Sequence, residues 1–417
     1  MLGFRRDAQG MAHLGGVRIS DLLARSSVGT PAYVYDLDGL GEAARALEAS
    51  FGGARHLVAY AVKANSAGSV VRTLAREGVG ADVVSGGELE VVLGAGIQPS
   101  RVVMSGVAKA DWELDLAVGR GLHAVQAESL EELERLAARA RALGAVARVA
   151  LRINPSVEID SHAGVATGHD EAKFGIALGD IGAAWDRIAS SPELVGVGVS
   201  SHVGSMLLEA DPYLRSAGAA CEAASAGIAK GHALEYVSFG GGFGIDYGGK
   251  PAPDPGHFVR GGLGLLRERG LSALELVIEP GRSLAGPFGV LVASVVQSKR
   301  SGSRRWIMID AGMNDLLRPA LYGAKHRIEP LEREPSEPSW RVVGPVCESS
   351  DDFGEHPLGA EPPKAVAARD AGAYGFVMAS EYNGRPLPAE VFVSGGAVTR
   401  VSESPGRAAW VKRRLDA

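Results

Sequence analysis

The stretch VAYAVKANS (58–66) ends an apolar run on a lysine, Lys63. In the alternation of a strand, Leu57, Ala59, Ala61 and Lys63 share one face, while Val58, Tyr60 and Val62 take the other. The lysine thus faces inward among small residues that leave room for a bulky partner. An amine desolvated there has a lowered pKa and becomes an imine-forming nucleophile, the chemistry by which a lysine captures a carbonyl cofactor. A lysine snorkelling out of a strand end is the plain alternative. The apolar character of both faces, as in a buried parallel strand, argues against it.

Four further stretches carry groups that suit such a cofactor. VIEPGRSLAG (277–286) offers Glu279 and Arg282 on either side of a Pro-Gly turn. Beside a cofactor, that carboxylate could keep a pyridine nitrogen protonated and that guanidinium could clamp a carboxylate, whereas a solvated ion pair at a turn is the bland reading. SFGGGFGIDY (238–247) has three consecutive glycines, Gly240, Gly241 and Gly242, whose backbone N–H groups could approach a phosphate; a flexible loop is the alternative. SSHVGS (200–205) presents His202 as a flat ring able to stack and Ser205 as a phosphate donor, against a core histidine. In GPVCESSDD, Cys347 has acidic neighbours including Glu348, which suit a proton donor better than a thiolate nucleophile. Cys221 lies in an alanine-rich helical stretch and reads as filler. The histidines of SHAGVATGHDEAKFG (161–175) lack ligand-like clustering, so no metal site is expected.

These residues need elements to position them. Short apolar or β-branched runs at 57–63, 80–84, 101–105, 122–127, 146–153, 194–202, 234–239 and 273–279 alternate with helical patterns such as LEELERLAARARALG (130–144). Eight βα units predict a (β/α)8 TIM barrel, whose active site lies at the C-terminal strand ends. The ends of these runs hold Lys63, Asp82 with Ser85, Arg152 with Asn154, His202, the three glycines, and Glu279 with Arg282. A doubly wound open sheet does not explain why successive strand ends all turn polar or glycine-rich. After Arg282 the rhythm becomes strands and turns. The reading is α/β: a barrel over 35–282, with 1–34 and 283–417 forming a β-rich domain, barrel- or sandwich-like.

The chain has 417 residues and a net charge of −6 spread without a basic block, which argues against nucleic acid and anionic membranes as partners. No run reaches the roughly 18 uninterrupted apolar residues of a membrane span. Two cysteines are too few for a disulfide framework and agree with a reducing, cytoplasmic setting.

Taken together, YAVKANS, GADVVSGGE, SSHVGS, SFGGGFGIDY, EPGRSLAG, IDAGMNDLLRPALYGAKH, VVGPVCESSD and AGAYGFVMASEYNGRPLPAEV resemble, in order along nearly the whole chain, the diaminopimelate decarboxylase family. That family belongs to the alanine-racemase-like, fold-type III pyridoxal-phosphate-dependent decarboxylases. The resemblance implies pyridoxal 5'-phosphate on Lys63, with Asp82, His202, Ser205, Gly240 to Gly242, Glu279 and Tyr374 around it. It implies Arg282, Arg318, Tyr322, Glu348 and Tyr374 at the substrate, and Cys347 as a catalytic residue. It further implies a homodimer with shared active sites, in which Cys347 and Glu348 enter from the partner, and decarboxylation of meso-2,6-diaminopimelate to L-lysine, the last step of lysine biosynthesis. Met206, where many relatives carry glutamine, and Ser350, where glycine is usual, leave open another amino acid: ornithine, lysine, arginine or a carrier-protein-bound one. A non-catalytic regulator is a third reading, and the retention of Lys63 and Cys347 argues against it.

Overall fold

The structure, a computed structural model, describes residues 3–24, 28–157 and 173–417. His162 and His169, set aside above as metal ligands, lie outside the described residues. The chain divides into two units: 43–245 with 252–283, and 1–42 with 246–251 and 284–417.

The first unit is built on eight parallel strands: His56–Ala61, Gly80–Val83, Val102–Met104, Ala124–Ala127, Ala147–Ile153, Leu194–Ser201, Tyr236–Ser238 and Glu275–Ile278. They pair in chain order and the last closes on the first, Val277 opposite Leu57, to make a barrel. This is the architecture expected from the sequence. Leu57, Ala59, Val103, Ala124, Ala150, Val197, Tyr236 and Val277 fill the interior. Tyr236 fits because its neighbour on the sixth strand is Gly198, where a Cβ would lie 2.6 Å from the tyrosine ring. The helix between the fourth and fifth strands, Leu130–Ala142, starts at Ser129, whose side chain accepts the Glu132 N–H at 3.1 Å. It buries Leu133, Leu136, Ala137 and Ala140, the i, i+3, i+4, i+7 face of an amphipathic helix.

The second unit holds a nine-stranded sheet and a small three-stranded one. Its spine is the long strand Gly289–Ser301, which pairs with Ala32–Asp36, Arg304–Ile309 and Ala365–Ala368. Ala389–Ser394 runs parallel to Ala32–Asp36 on the other side. Val34, Val290, Val292, Ala367 and Val391 lie at the centre of its apolar core. The boundaries differ from the sequence rhythm in one instructive place. Asp246–Pro251, expected within the barrel, belongs to this unit, because the Asp246 carbonyl accepts from Arg327 at 3.0 Å and the Tyr247 hydroxyl from Arg318 at 2.9 Å. The helix Leu37–Ala49 likewise crosses the division after Glu42. Among the described residues no helix is long and apolar enough to cross a membrane.

One buried carboxyl in this sheet makes its stability depend on pH. Glu390 accepts the Tyr35 hydroxyl at 3.0 Å, yet burial pushes its carboxyl up to about 7. The folded chain therefore keeps a proton that the unfolded chain releases near pH 4.5, and stability falls as pH rises from about 4.5 to about 7. Glu390→Gln removes that loss. Its unfolding free energy should exceed the parent's above pH 7, by on the order of 1–3 kcal/mol, and the two should converge below pH 4.5; curves that stay parallel across this range would exclude the linkage.

Candidate active site

At the C-terminal end of the barrel, side chains from six strands or their following turns form one hydrogen-bonded run. Lys63 Nζ donates to Asp82 Oδ2 at 2.7 Å, and the Ser105 hydroxyl donates to Asp82 Oδ1 at 2.6 Å. Ser105 also lies 3.0 Å from Gln126 Oε1, and Gln126 Nε2 donates to Glu279 Oε1 at 2.8 Å. Ser238 Oγ donates to the same Glu279 oxygen at 2.7 Å. An amine thus stands at one end and a carboxyl at the other.

Lys63 departs from its expected setting. The first strand stops at Ala61, and Lys63 sits in the short 3-10 turn Val62–Ala64. Its side chain is 40 % exposed, so the amine is held by an ion pair to a fully buried Asp82 rather than by desolvation. The small neighbours also have a second reason. The Pro280–Gly281 turn docks on them: Pro280 O accepts the Ala61 N–H at 2.9 Å, and a Cβ at Gly281 would meet the Ala64 and Ala61 methyls at 3.0 and 3.2 Å.

Glu279 is 9 % exposed. Burial, and then the negative charge of Asp82, raise its carboxyl above the usual range against the two donors on Oε1. Both donors converge on Oε1, which leaves Oε2 to meet an incoming N–H. His202 behaves oppositely. Burial, reinforced by the positive charges of Arg152 and Lys63, pushes its imidazole down to about 3. The Gly241 N–H points at Nδ1 at 3.3 Å, so the neutral ring carries its hydrogen on Nε2. Arg152 itself is fixed by Glu128 at 2.5 Å, and Glu128 also accepts the Gly106 and Gly175 N–H groups.

The three glycines are required by close approach of backbone. A Cβ at Gly240 would lie 2.5 Å from Ser201 O, at Gly241 2.0 Å from Glu279 O, and at Gly242 2.1 Å from Gly204 O. Gly240 and Gly242 also adopt φ of +66° and +87°. The N–H groups of Gly240 and Gly241, expected to face a phosphate, point at Ser238 Oγ and His202 Nδ1. Ser205 Oγ accepts from Arg282 Nη2 at 3.1 Å, tying the loops after the sixth and eighth strands. Next to it Met206 has φ +65°. Ser85, read with Asp82 as a strand-end group, is instead the N-cap of the helix Gly86–Gly94.

The remaining candidates lie in the β unit. Arg318, 4 % exposed, opens the helix Arg318–Tyr322, so Tyr322 lies one turn on. The Arg318 guanidinium stacks 4.8 Å from the Tyr247 ring centre and donates to His326 Nε2 at 2.7 Å. That bond leaves the His326 hydrogen on Nδ1, facing Arg369 O at 2.8 Å. Cys347 is exposed and its N–H donates to Asn383 Oδ1 at 2.9 Å; Glu348 accepts the Tyr382 hydroxyl at 2.6 Å. Tyr374 has φ +55°, a strained conformation for a bulky residue. Its neighbours Gly372 and Gly375 are packed too tightly for a Cβ, 2.0 Å from Ala285 O and 2.5 Å from Ala371 O respectively. Sequence reasoning missed Ser105, Gln126 and Ser238. Their only signal was a polar residue on or just past an otherwise apolar barrel strand.

The comparisons agree with this geometry. Residues 37–286 match the family model described as pyridoxal-dependent decarboxylase, pyridoxal binding domain. The diaminopimelate decarboxylase of Zymomonas mobilis is 41% identical over 372 residues, 88% of each chain. That of Pseudomonas aeruginosa is 40% identical over 392 residues, 94% of this chain and 93% of its own. The chain belongs to the diaminopimelate decarboxylase family of pyridoxal-dependent decarboxylases. The crystal structure of the Helicobacter pylori diaminopimelate decarboxylase complexed with L-lysine superposes with a TM-score of 0.89 at 36% identity, covering 95% of this chain and 99% of that one.

Pyridoxal phosphate is the cofactor of this family, and the residues at the barrel end fit it. An accessible primary amine can take its aldehyde. A buried carboxyl with one oxygen left over can meet its ring nitrogen, and a neutral flat imidazole can cover its ring. Among the described residues no group of three metal-ligating side chains competes for the role.

The run of side chains gives a direct test. Gln126→Leu strips a donor from Glu279 and an acceptor from Ser105, both buried, and should destabilise the barrel by about 1–3 kcal/mol. Gln126→Glu adds a third carboxyl and should be worse than leucine at pH 8, with recovery at pH 5. Unfolding measured at both pH values decides, and parent-like stability of the leucine variant would mean that the run contributes nothing.

Proposed function

We propose that this chain decarboxylates meso-2,6-diaminopimelate to L-lysine, the closing step of lysine biosynthesis. The observation that carries the reading is the hydrogen-bonded run from Lys63 to Glu279, in a chain 41% identical to a diaminopimelate decarboxylase. When bound, pyridoxal phosphate supplies an electron-poor ring that accepts the electron pair left behind as carbon dioxide departs.

The chain's own residues do the rest. Lys63 tethers the cofactor, and Asp82 fixes the amine while balancing its charge. Glu279, its carboxyl raised by burial, would hold a proton at the ring nitrogen. His202 covers the ring as a neutral group, so it adds no charge that would compete with that proton. The glycine loop, Ser205 and Tyr374 would lie near the phosphate, with the Gly240 and Gly241 N–H groups already turned to Ser238 Oγ and His202 Nδ1. Arg282 and Arg318 orient substrate carboxylates, Glu348 meets the distal ammonium, and Tyr322 meets the distal carboxylate that sets diaminopimelate apart from ornithine or arginine. Cys347 returns a proton to the α-carbon.

The reading includes a homodimer in which Cys347 and Glu348 serve the partner's barrel. It is supported by their exposure on the single chain, where Cys347 is held by the Asn383 side chain and Glu348 accepts the Tyr382 hydroxyl. The reaction is placed in the cytoplasm, in keeping with two free cysteines.

Product analysis with meso-diaminopimelate, ornithine, lysine and arginine in parallel should give carbon dioxide and L-lysine from the first alone. Borohydride reduction and peptide mapping should place the cofactor adduct on Lys63; turnover of a different substrate, or an adduct elsewhere, rules the assignment out. The shared site has its own test. Lys63→Ala and Cys347→Ala homodimers should each be nearly inactive. After verified random exchange of equal amounts, about half the dimers are hybrids with one intact site, and activity should return to about a quarter of the parent's. No recovery would put Lys63 and Cys347 in the same chain's site.

A further inference from the structure

A cavity of about 340 Å³ lies within the β unit, its wall including Thr30, Asp310, Asp315, Arg385 and Glu403. None of its lining residues belongs to the candidate active site. Asp310 is satisfied, since Oδ2 accepts from Thr30 Oγ1 at 2.5 Å and Oδ1 from the Ser294 N–H at 2.8 Å. Asp315 is not. It is 1 % exposed, its Oδ2 accepts the Gly312 N–H at 2.9 Å, and its Oδ1 has no hydrogen-bond partner. Desolvation holds this carboxyl at about 7, above what the positive charge of Arg385 can restore. The Arg385 guanidinium, on the same wall, makes no hydrogen bond or ion pair among the described residues.

A buried carboxyl with one oxygen lacking a donor and a half-buried guanidinium without a protein acceptor thus line one space. The first omission costs about 1–3 kcal/mol, while the second leaves the guanidinium available to a ligand. A metal ion would answer only the first, and no group of three metal-ligating side chains occurs among the described residues. A single anion would answer only the second. A molecule that bears an ammonium and a carboxylate on one carbon offers a group to each. Pro31, Pro386, Leu387, Pro388 and Ala389 give the wall an apolar part that suits an aliphatic side chain. The volume is at the low end of the ~300–1,000 Å³ typical of ligand cavities, which excludes a large molecule.

We propose that this cavity is a binding site for a small aliphatic α-amino acid, with its ammonium on Asp315 Oδ1 and its carboxylate on Arg385. The site is wired to segments that carry candidate substrate and catalytic residues. Asp315 is three residues before Arg318, and its carbonyl accepts the Tyr33 hydroxyl at 2.6 Å. Arg385 is two residues beyond Asn383, whose side chain holds the Cys347 N–H. The Asn314 carbonyl joins the two segments by accepting the Ser380 N–H at 2.8 Å, and Asp351 ties the first to the Cys347 loop by accepting the Met313 and Val346 N–H groups at 2.6 and 2.7 Å. Drawing Asp315 and Arg385 onto one ligand restrains both segments at once. The proposal stands apart from the substrate assignment and does not depend on it.

Equilibrium dialysis of the holoenzyme against labelled glycine, alanine, valine and proline tests it. At least one should bind saturably at one per chain. Alaninamide and propionate, each lacking one of the two charges, should fail to displace it. Asp315→Asn, which keeps shape but removes the charge, and Arg385→Gln should each weaken binding by tenfold or more. Thermal unfolding checks that both variants are folded; if either is not, displacement from the parent protein decides alone. Absence of saturable binding would mean that the cavity holds only water, and binding unchanged in both folded variants would place the ligand elsewhere. Either result overturns the proposal.

Discussion

Two carboxyl groups at one end of a narrow barrel set the problem that the rest of the site answers. Asp82 is fully buried and Glu279 nearly so, and burial and then the charge of Asp82 raise the energy of ionising Glu279. Left alone, a pair of buried like charges would shed one by protonation or open the barrel to water. Lys63 neutralises Asp82 directly. Ser105 and Gln126 then fill the space between the two carboxyls with dipoles whose polarity is fixed, hydroxyl toward Asp82 and amide N–H toward Glu279. The result pairs one carboxyl with the amine and leaves the other, raised above its usual range by burial, at the far end of the run.

That division of labour explains features which look unrelated in the sequence. His202 must not become a cation so close to Arg152 and Lys63, and its burial with an N–H donor on Nδ1 keeps it neutral. The glycine loop must bring three backbones into near contact, so that Glu279 N donates to Gly240 O at 2.8 Å while Leu207 N donates to Gly242 O at 2.9 Å. Loops after the sixth, seventh and eighth strands are thereby locked to one another, and the Glu279 carboxyl is aimed by its own backbone as well as by its donors.

The β unit meets a different demand. Its candidate residues hang on short loops, and loops are positioned by whatever pins their backbone. Arg318 is boxed by Tyr247 and His326, Tyr374 is forced into a left-handed conformation between two tightly packed glycines, and the Cys347 loop is held through Asn383 and Asp351. Segment 246–251 belongs with this unit because it delivers Tyr247 to Arg318, even though it lies between the seventh and eighth strands in the chain.

The barrel was legible in the sequence because each of its strands is an apolar run closed by a polar or glycine-rich turn, and a period-two pattern followed by a helical one needs no knowledge of distant residues. Lys63, Glu279 and the Gly240–Gly242 loop stood out for the same reason: each breaks a local pattern at a strand end. Ser85 misled because a serine before a helix caps it whether or not chemistry lies nearby. What the sequence by itself did not decide is everything that depends on partners from other strands of the barrel. The links from Ser105 to Gln126 and from Gln126 to Glu279, the ion pair that replaces desolvation at Lys63, and the docking of Gly281 on Ala61 and Ala64 all arise where barrel closure brings separate strand ends side by side. A side chain's charge state is set by the groups that surround it in space, and those neighbours exist only once the chain has folded.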